Sequence, residues 1–198
     1  MKVAFCVEGD SDVSVFSMLL GNILRDQIEV AATPFRRNGW QQAIEKTRAV
    51  AWHAYQAGLN GVVFAVDNDG DPIHAHSHLQ TPEPRCRWCQ INSRIPNDVG
   101  QLPRYGLPPL FFIIAVPVQT IEVWLLLARG DWSEAGVGVR GKNGLDRADL
   151  KRELYGVADP DLRKMNEVAV KILTAADFDD LAAKSSSFDS FRRQARQR

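Results

Sequence analysis

The chain predicts an α/β domain built on a parallel sheet flanked by helices, and three observations carry that prediction. Its first third runs strand, helix, strand, helix, strand, the order that yields parallel pairing through right-handed crossovers. The strand segments 2–7 and 62–66 are nearly continuous apolar runs, as expected of strands covered on both faces. Both runs end on acids, Glu8 after the first and Asp67 after the later one. In an open α/β sheet that carboxyl edge is where ligands bind.

Each element has its own signal. Glu8-Gly9-Asp10-Ser11-Asp12 turns the chain into a helix that Ser11 or Asp12 can cap, with apolar positions 13, 16, 19, 20, 23 and 24 on one face. Residues 28–35 read as the second strand, and Asn38-Gly39 breaks the chain before a helix over 40–57 with Ile44, Ala51 and Tyr55 facing inward. Gly58 to Gly61 ends that helix and feeds the third strand, after which Asp67-Asn68-Asp69-Gly70-Asp71 leaves the sheet. From 72 to 108 the periodicity stops, and the prolines and histidines there predict an insertion with little regular core. A fourth buried strand over 110–116 leads to a helix from about 119 to 128. Five glycines between 130 and 144 predict a mobile loop, and helices follow over 147–155, 161–174, 176–183 and 187–197. The expected organisation is an α/β unit over 1–130, with a loop and helical C-terminal extension over 131–198 packed on it.

Length and composition set limits. A chain of 198 residues, 45% apolar and 24% charged, is that of an ordinary globular domain. The formal net charge is zero, so no global basic field attracts a polyanion. Any such partner must be held by local patches, such as Arg36 and Arg37 or Arg192, Arg193, Arg196 and Arg198, or through a bound metal. Three cysteines make no disulfide framework, and Cys6 sits in a strand as a buried thiol. The opening residues lack a secretory pattern, and the apolar run 110–118 is too short to span a bilayer and contains Pro117. A cytoplasmic protein with no membrane partner is expected.

The acids carry the chemistry. Asp67, Asp69 and Asp71 alternate just past a strand end, where their mutual repulsion is best relieved by a divalent cation. Hard oxygen ligands suit Mg2+ or Mn2+. A solvated Asp-Gly turn is the alternative. Glu8, at the end of a neighbouring parallel strand, can converge on the same point, and Asp12 can turn back toward it or serve only as a helix cap. Glu122 enters from the first turn of the helix after the fourth strand, where an acid is also common for dipole reasons.

Val7-Glu8-Gly9 after an opening strand, with an apolar strand ending Asp67-x-Asp69, resembles the Toprim domain, the Rossmann-like metal-binding module of topoisomerases, bacterial primases and overcoming-lysogenization-defect nucleases. Glu8-x-x-x-Asp12 is similar to the first acidic motif of the last group. Pro117-x-Gln119-x-x-Glu122-x-Trp124-Leu125-Leu126 and Ser187-Phe188-x-x-Phe191 resemble segments of small stand-alone Toprim-like proteins, several tied to phage defence. The resemblance covers 1–9, 61–71 and 110–128, and loosely the tail; residues 72–108 do not match. It implies metal-dependent phosphodiester cleavage of DNA or RNA, with Glu8, Asp67 and Asp69 catalytic. Asp67 and Asp69 then hold Mg2+ or Mn2+, Glu8 is a metal ligand or the general acid/base, and Asp12 and Glu122 complete a second metal position. Asp71 stays a metal-ligand candidate from the residues alone. Arg37 and Lys142 are candidates to neutralise the phosphate, with a solvated surface cation as the alternative for each. No strand-passage domain or primase-sized addition is present, and no phosphate-binding Gly-x-x-x-x-Gly-Lys-Ser/Thr loop occurs, so any ATPase is a separate chain.

A second metal is expected in the insertion, with a polar loop carrying incidental histidines and two free thiols as the alternative. Cys86-x-x-Cys89 has the spacing of two thiolates on one tetrahedral Zn2+, and His76 and His78, with His74 as alternative, can complete it. Such a structural ion would supply folding energy that this stretch lacks in apolar residues. Arg85, Arg87 and Trp88 beside the thiols can contact bases and phosphates or serve only as scaffold. Two other functions fit the same residues: a non-catalytic metal-binding module that binds nucleic acid or a partner ATPase, and a small-molecule phosphohydrolase, which zero net charge favours.

Overall fold

Strand β1 (Lys2–Val7) pairs on one side with β2 (Glu29–Ala31) and on the other with β3 (Gly61–Ala65), which pairs in turn with β4 (Phe111–Ala115). All pairings are parallel, so the sheet order is β2-β1-β3-β4. These come from a computed structural model that describes residues 1–32, 39–68, 83–95, 106, 108–118, 120–130 and 147–198. The fold is α/β and Rossmann-like, as the strand and helix order predicts. Chain direction reverses across the sheet between β1 and β3. The first connection, through α1 (Asp10–Leu24), leads outward to β2, and the second, through α2 (Gly39–Gln56), returns past β1 to β3. A crevice at the carboxyl ends of the strands opens at such a switch point.

Apolar residues next to one another in a strand point to opposite faces, and both faces are covered here. Val3, Phe5, Val7, Val63 and Ile113 face a core shared with Val15, Phe16, Leu19 and Leu20 of α1. Ala4, Cys6, Val62, Phe64 and Ile114 face the other way, onto Ile44, Val50, Ala51 and Ala54 of α2. Tyr55 is only partly buried at the margin of that layer. Gly61 has to be glycine: a Cβ there would run into the Phe111 ring on the neighbouring strand.

Three expectations need revision. The second strand is three residues long, and it is the sheet's edge, with Val30 45% exposed. The helix after β4 is α4 (Ile121–Arg129); Thr120 stands before it in extended conformation, so the helix begins beyond Pro117. The region predicted to lack a core contains α3 (Arg87–Asn92), which buries Arg87, Cys89 and Ile91, with Ile91 joining the α2 side of the core.

The C-terminal third is helical as expected: α5 (Arg147–Tyr155), α6 (Leu162–Ala175), α7 (Phe178–Lys184) and α8 (Ser186–Arg196). Asp161, Asp177 and Ser185 cap the last three by accepting backbone N–H groups. Their apolar faces complete the α1 side of the core. Phe188 and Phe191 pack on Trp124 at ring separations of 5.3 and 5.6 Å, and Phe16 meets Trp124 edge-on at 5.9 Å. The Trp124 indole N–H donates to Ser187 Oγ at 2.9 Å. Gln194 closes the edge of β4: the Ile114 N–H donates to its Oε1 and its Nε2 donates to the Ile114 carbonyl, both at 2.9 Å. The basic tail is partly spent on internal pairs, Arg192 with Asp179 and Arg193 with Asp189. Among the described residues no helix is long and apolar enough to cross a membrane.

Candidate functional site

Past the end of β3 the backbone stays extended. The Val66 N–H donates to the Ala115 carbonyl and the Asn68 N–H to the Pro117 carbonyl, each at 3.1 Å. The alternation leaves the Asp67 N–H facing β1, where it donates to Glu8 Oε1 at 2.8 Å. The two strand-end acids are thereby locked together at the switch point. The Asp67 carbonyl accepts from Arg87, whose guanidinium lies 4.2 Å from the centre of the Trp40 ring. A cation from α3 and an aromatic from α2 thus brace the loop that presents Asp67.

Asp12 arrives from α1. Gly9, not Ser11 or Asp12, is the residue before the first helical turn, and Asp12 sits in that turn with its Oδ2 accepting from the Gly9 N–H at 3.1 Å. Ser11 Oγ donates to its other oxygen at 3.2 Å. Glu122 comes from the first turn of α4 and is 2% exposed. These four acids line one cleft of about 270 Å³ together with Arg147 and Lys151 of α5. Arg147 pairs with Asp67 Oδ2 while half of its own side chain stays in solvent.

The electrostatics follow from this crowding. Burial pushes the Asp67 carboxyl well above the ordinary carboxylate range; Glu8, Asp12 and Glu122 push the same way and Arg147 opposes them. Burial, then Glu122, also raise Asp12. Tyr155, on the same helix as Arg147, is raised by burial and by the charges of Glu122 and Asp12. Burial and mutual repulsion therefore make ionisation of Asp67 and Asp12 costly in this cleft.

Of the residues expected at the site, Glu8, Asp12, Asp67 and Glu122 are brought together; Asp69, Asp71, Arg37 and Lys142 lie outside the described residues, as do His74, His76 and His78. Among the described residues no three acid, His or Cys side chains are already gathered around one ion-sized point. Asp67 pairs with Arg147, and Glu8 accepts from the Asp67 backbone. Cys86 and Cys89 are both buried; burial and the neighbouring Cys89 lift the Cys86 thiol to about 11. Of the two roles open to Arg87, nucleic-acid contact or scaffold, its surroundings fit the second: it is 4% exposed and committed to Asp67 and Trp40, and Trp88 packs against the α2 core.

Arg147 and Lys151 escaped the sequence reading. Their signal was present: four residues apart at the start of a helix, they share one face. What the sequence lacked was the fold that swings α5 across the carboxyl edge. No protein-family model matches the chain, and neither a curated protein nor a solved structure matches it significantly.

Proposed function

We propose that the protein is a Toprim-type nuclease, hydrolysing phosphodiester bonds of DNA or RNA with Mg2+ or Mn2+. The observation that supports this reading is the convergence of Glu8, Asp12, Asp67 and Glu122, from three strand ends, on one cleft that two cations also line. The donor set is all carboxylate oxygen, which suits a hard divalent ion, and burial with mutual repulsion raises Asp67 and Asp12, a cost that a bound cation would offset. Those four acids, with Asp69 and Asp71 just beyond, are the residues that would hold the ion. Bound there, it would acidify a water and compensate charge on a phosphate.

The chain's own residues supply the rest. Arg147 pairs with Asp67, and its half-exposed side chain is long enough to turn to a phosphate oxygen instead. Lys151, a turn along α5, adds a second positive charge on the same side. Glu8 is held by the Asp67 backbone in position to accept a proton from the attacking water. Arg87 keeps the Asp67 loop from shifting. The reading extends to a structural Zn2+ held by Cys86, Cys89 and two of His74, His76 and His78. It extends also to work beside a separate ATPase chain in phage defence.

A second reading, hydrolysis of a small phosphorylated molecule, is favoured by the cleft's small volume and the zero net charge. Both are tested by offering labelled single- and double-stranded DNA and RNA beside nucleotides, with Mg2+, Mn2+ or EDTA. Cutting of polymers that EDTA abolishes, and that Glu8→Gln lowers by at least about a hundredfold, is the expected result. Turnover of nucleotides alone would favour the second reading. No turnover of any substrate by folded, cation-bound protein would leave a binding module.

A further inference from the structure

Arg147 and a divalent cation are rivals for one carboxylate. Arg147 lines the cleft and pairs there with Asp67 Oδ2. The two partners differ in freedom. The Asp67 side chain is 8% exposed, and its main chain is held on both sides, the N–H by Glu8 and the carbonyl by Arg87. The Arg147 side chain is 51% exposed and opens helix α5, so Arg147 is the partner free to swing away. A guanidinium and a divalent ion on one carboxylate repel each other, whichever oxygen each of them takes. Lys151, one turn further on, lines the same cleft, yet among the described residues no ion pair ties it to an acid.

We infer that Arg147 is a latch on the cation site, released by a phosphate of the substrate, so that cation and phosphate bind with positive cooperativity. This rests on the metal reading of the cleft and adds to it a means of regulation. A guanidinium pairs with phosphate oxygens through the same forked donors that it offers a carboxylate, so an arriving phosphate can take Arg147 from Asp67. Asp67 then meets the ion with its full charge. The converse holds as well: an ion on Asp67 turns Arg147 toward the phosphate, and linkage makes the two effects equal. Lys151 also attracts the phosphate, but it has no acid to release and adds affinity without coupling. The latch confines tight cation binding to the cleft that already holds a phosphate, which guards against idle activation of water.

The test measures Mn2+ affinity from the paramagnetic resonance signal of the free ion, at constant ionic strength. The protein is titrated alone, with an excess of a thymidine dinucleotide carrying a phosphorothioate linkage, and with the uncharged methylphosphonate counterpart. The charged dinucleotide raises the wild-type affinity at least about fivefold, and the uncharged one leaves it unchanged. Arg147→Gln loses that enhancement, whereas Lys151→Gln keeps it and needs more dinucleotide to reach it. A wild-type affinity that the charged dinucleotide does not alter overturns the latch and leaves the cation site standing. An enhancement that survives in folded Arg147→Gln also overturns it, because contact between phosphate and ion then suffices. Equal loss in Lys151→Gln does the same, by tracing the coupling to the charge of the cleft at large. No Mn2+ bound by wild type, with or without dinucleotide, overturns the cation site and the latch together.

Discussion

Asp12 joins a structural and a chemical role in one side chain. Its carboxylate closes the first turn of α1 through the Gly9 N–H, yet burial and Glu122 make that charge unwelcome. A carboxyl raised in the folded state binds its proton at a pH where the unfolded chain has lost it. The folded form is therefore penalised above the raised value, and the penalty is relieved as pH falls toward the ordinary one. Asp12→Asn keeps an oxygen for Gly9 and removes the charge. In the metal-free protein it raises the melting temperature at neutral pH, and its advantage over wild type shrinks as pH is lowered through the carboxyl range. A thermal melt series of both proteins across that range checks this; an advantage independent of pH would contradict it. Glu8, Asp67 and Glu122 were legible in the sequence for a simple reason. Each follows an apolar strand by a few residues, and strand ends in parallel sheets are neighbours. Arg147 was not, because a cation's partner depends on where a later helix crosses the sheet; Arg87 was singled out, but its bond to the Asp67 carbonyl was not legible for the same reason.

Edge strands need their open hydrogen-bonding side covered, and β4 is covered by one glutamine. Gln194 answers both the N–H and the C=O of Ile114, as a neighbouring strand would, and anchors α8 to the sheet. Gln194→Ala leaves both backbone groups without those partners and costs about 1–3 kcal/mol of unfolding free energy, measured by urea denaturation. A loss within experimental error would show that water replaces the amide. The helices were legible from their periodicity and caps, and most bounds differ from the expectation by one or two residues. The second strand was overestimated because its apolar run continues past the point where pairing with β1 stops at Ala31. The insertion was misjudged because composition hides α3: Ile91 and the two thiols are few, but all are buried.

The molecule is organised so that its last helices complete a core begun by its first. Phe188 and Phe191 meet Trp124 of α4 and Phe191 also meets Phe16 of α1, so the C-terminal extension belongs to the same folding unit as the sheet. Phe191→Ala costs about 3–5 kcal/mol by urea denaturation and loosens α1 and α4, the helices that carry Asp12 and Glu122. The stability loss comes with weaker cation binding, whereas a purely local cavity would leave binding unchanged. The same packing sets α5 across the carboxyl edge and turns an open crevice into a cleft. Sequence pattern predicted the sheet and the edge that would carry the site. It did not predict that the extension would supply part of the cleft's lining.

The central claim is that this cleft is a cation site, and calorimetric titration with Mn2+ at neutral pH tests it most directly. Wild type and Asp67→Asn are compared in two buffers of different ionisation enthalpy. The account predicts binding to wild type with release of protons, since the raised carboxyls must ionise to hold the ion, and binding weakened at least about tenfold in Asp67→Asn. No binding to wild type, or equal binding by Asp67→Asn, would contradict it.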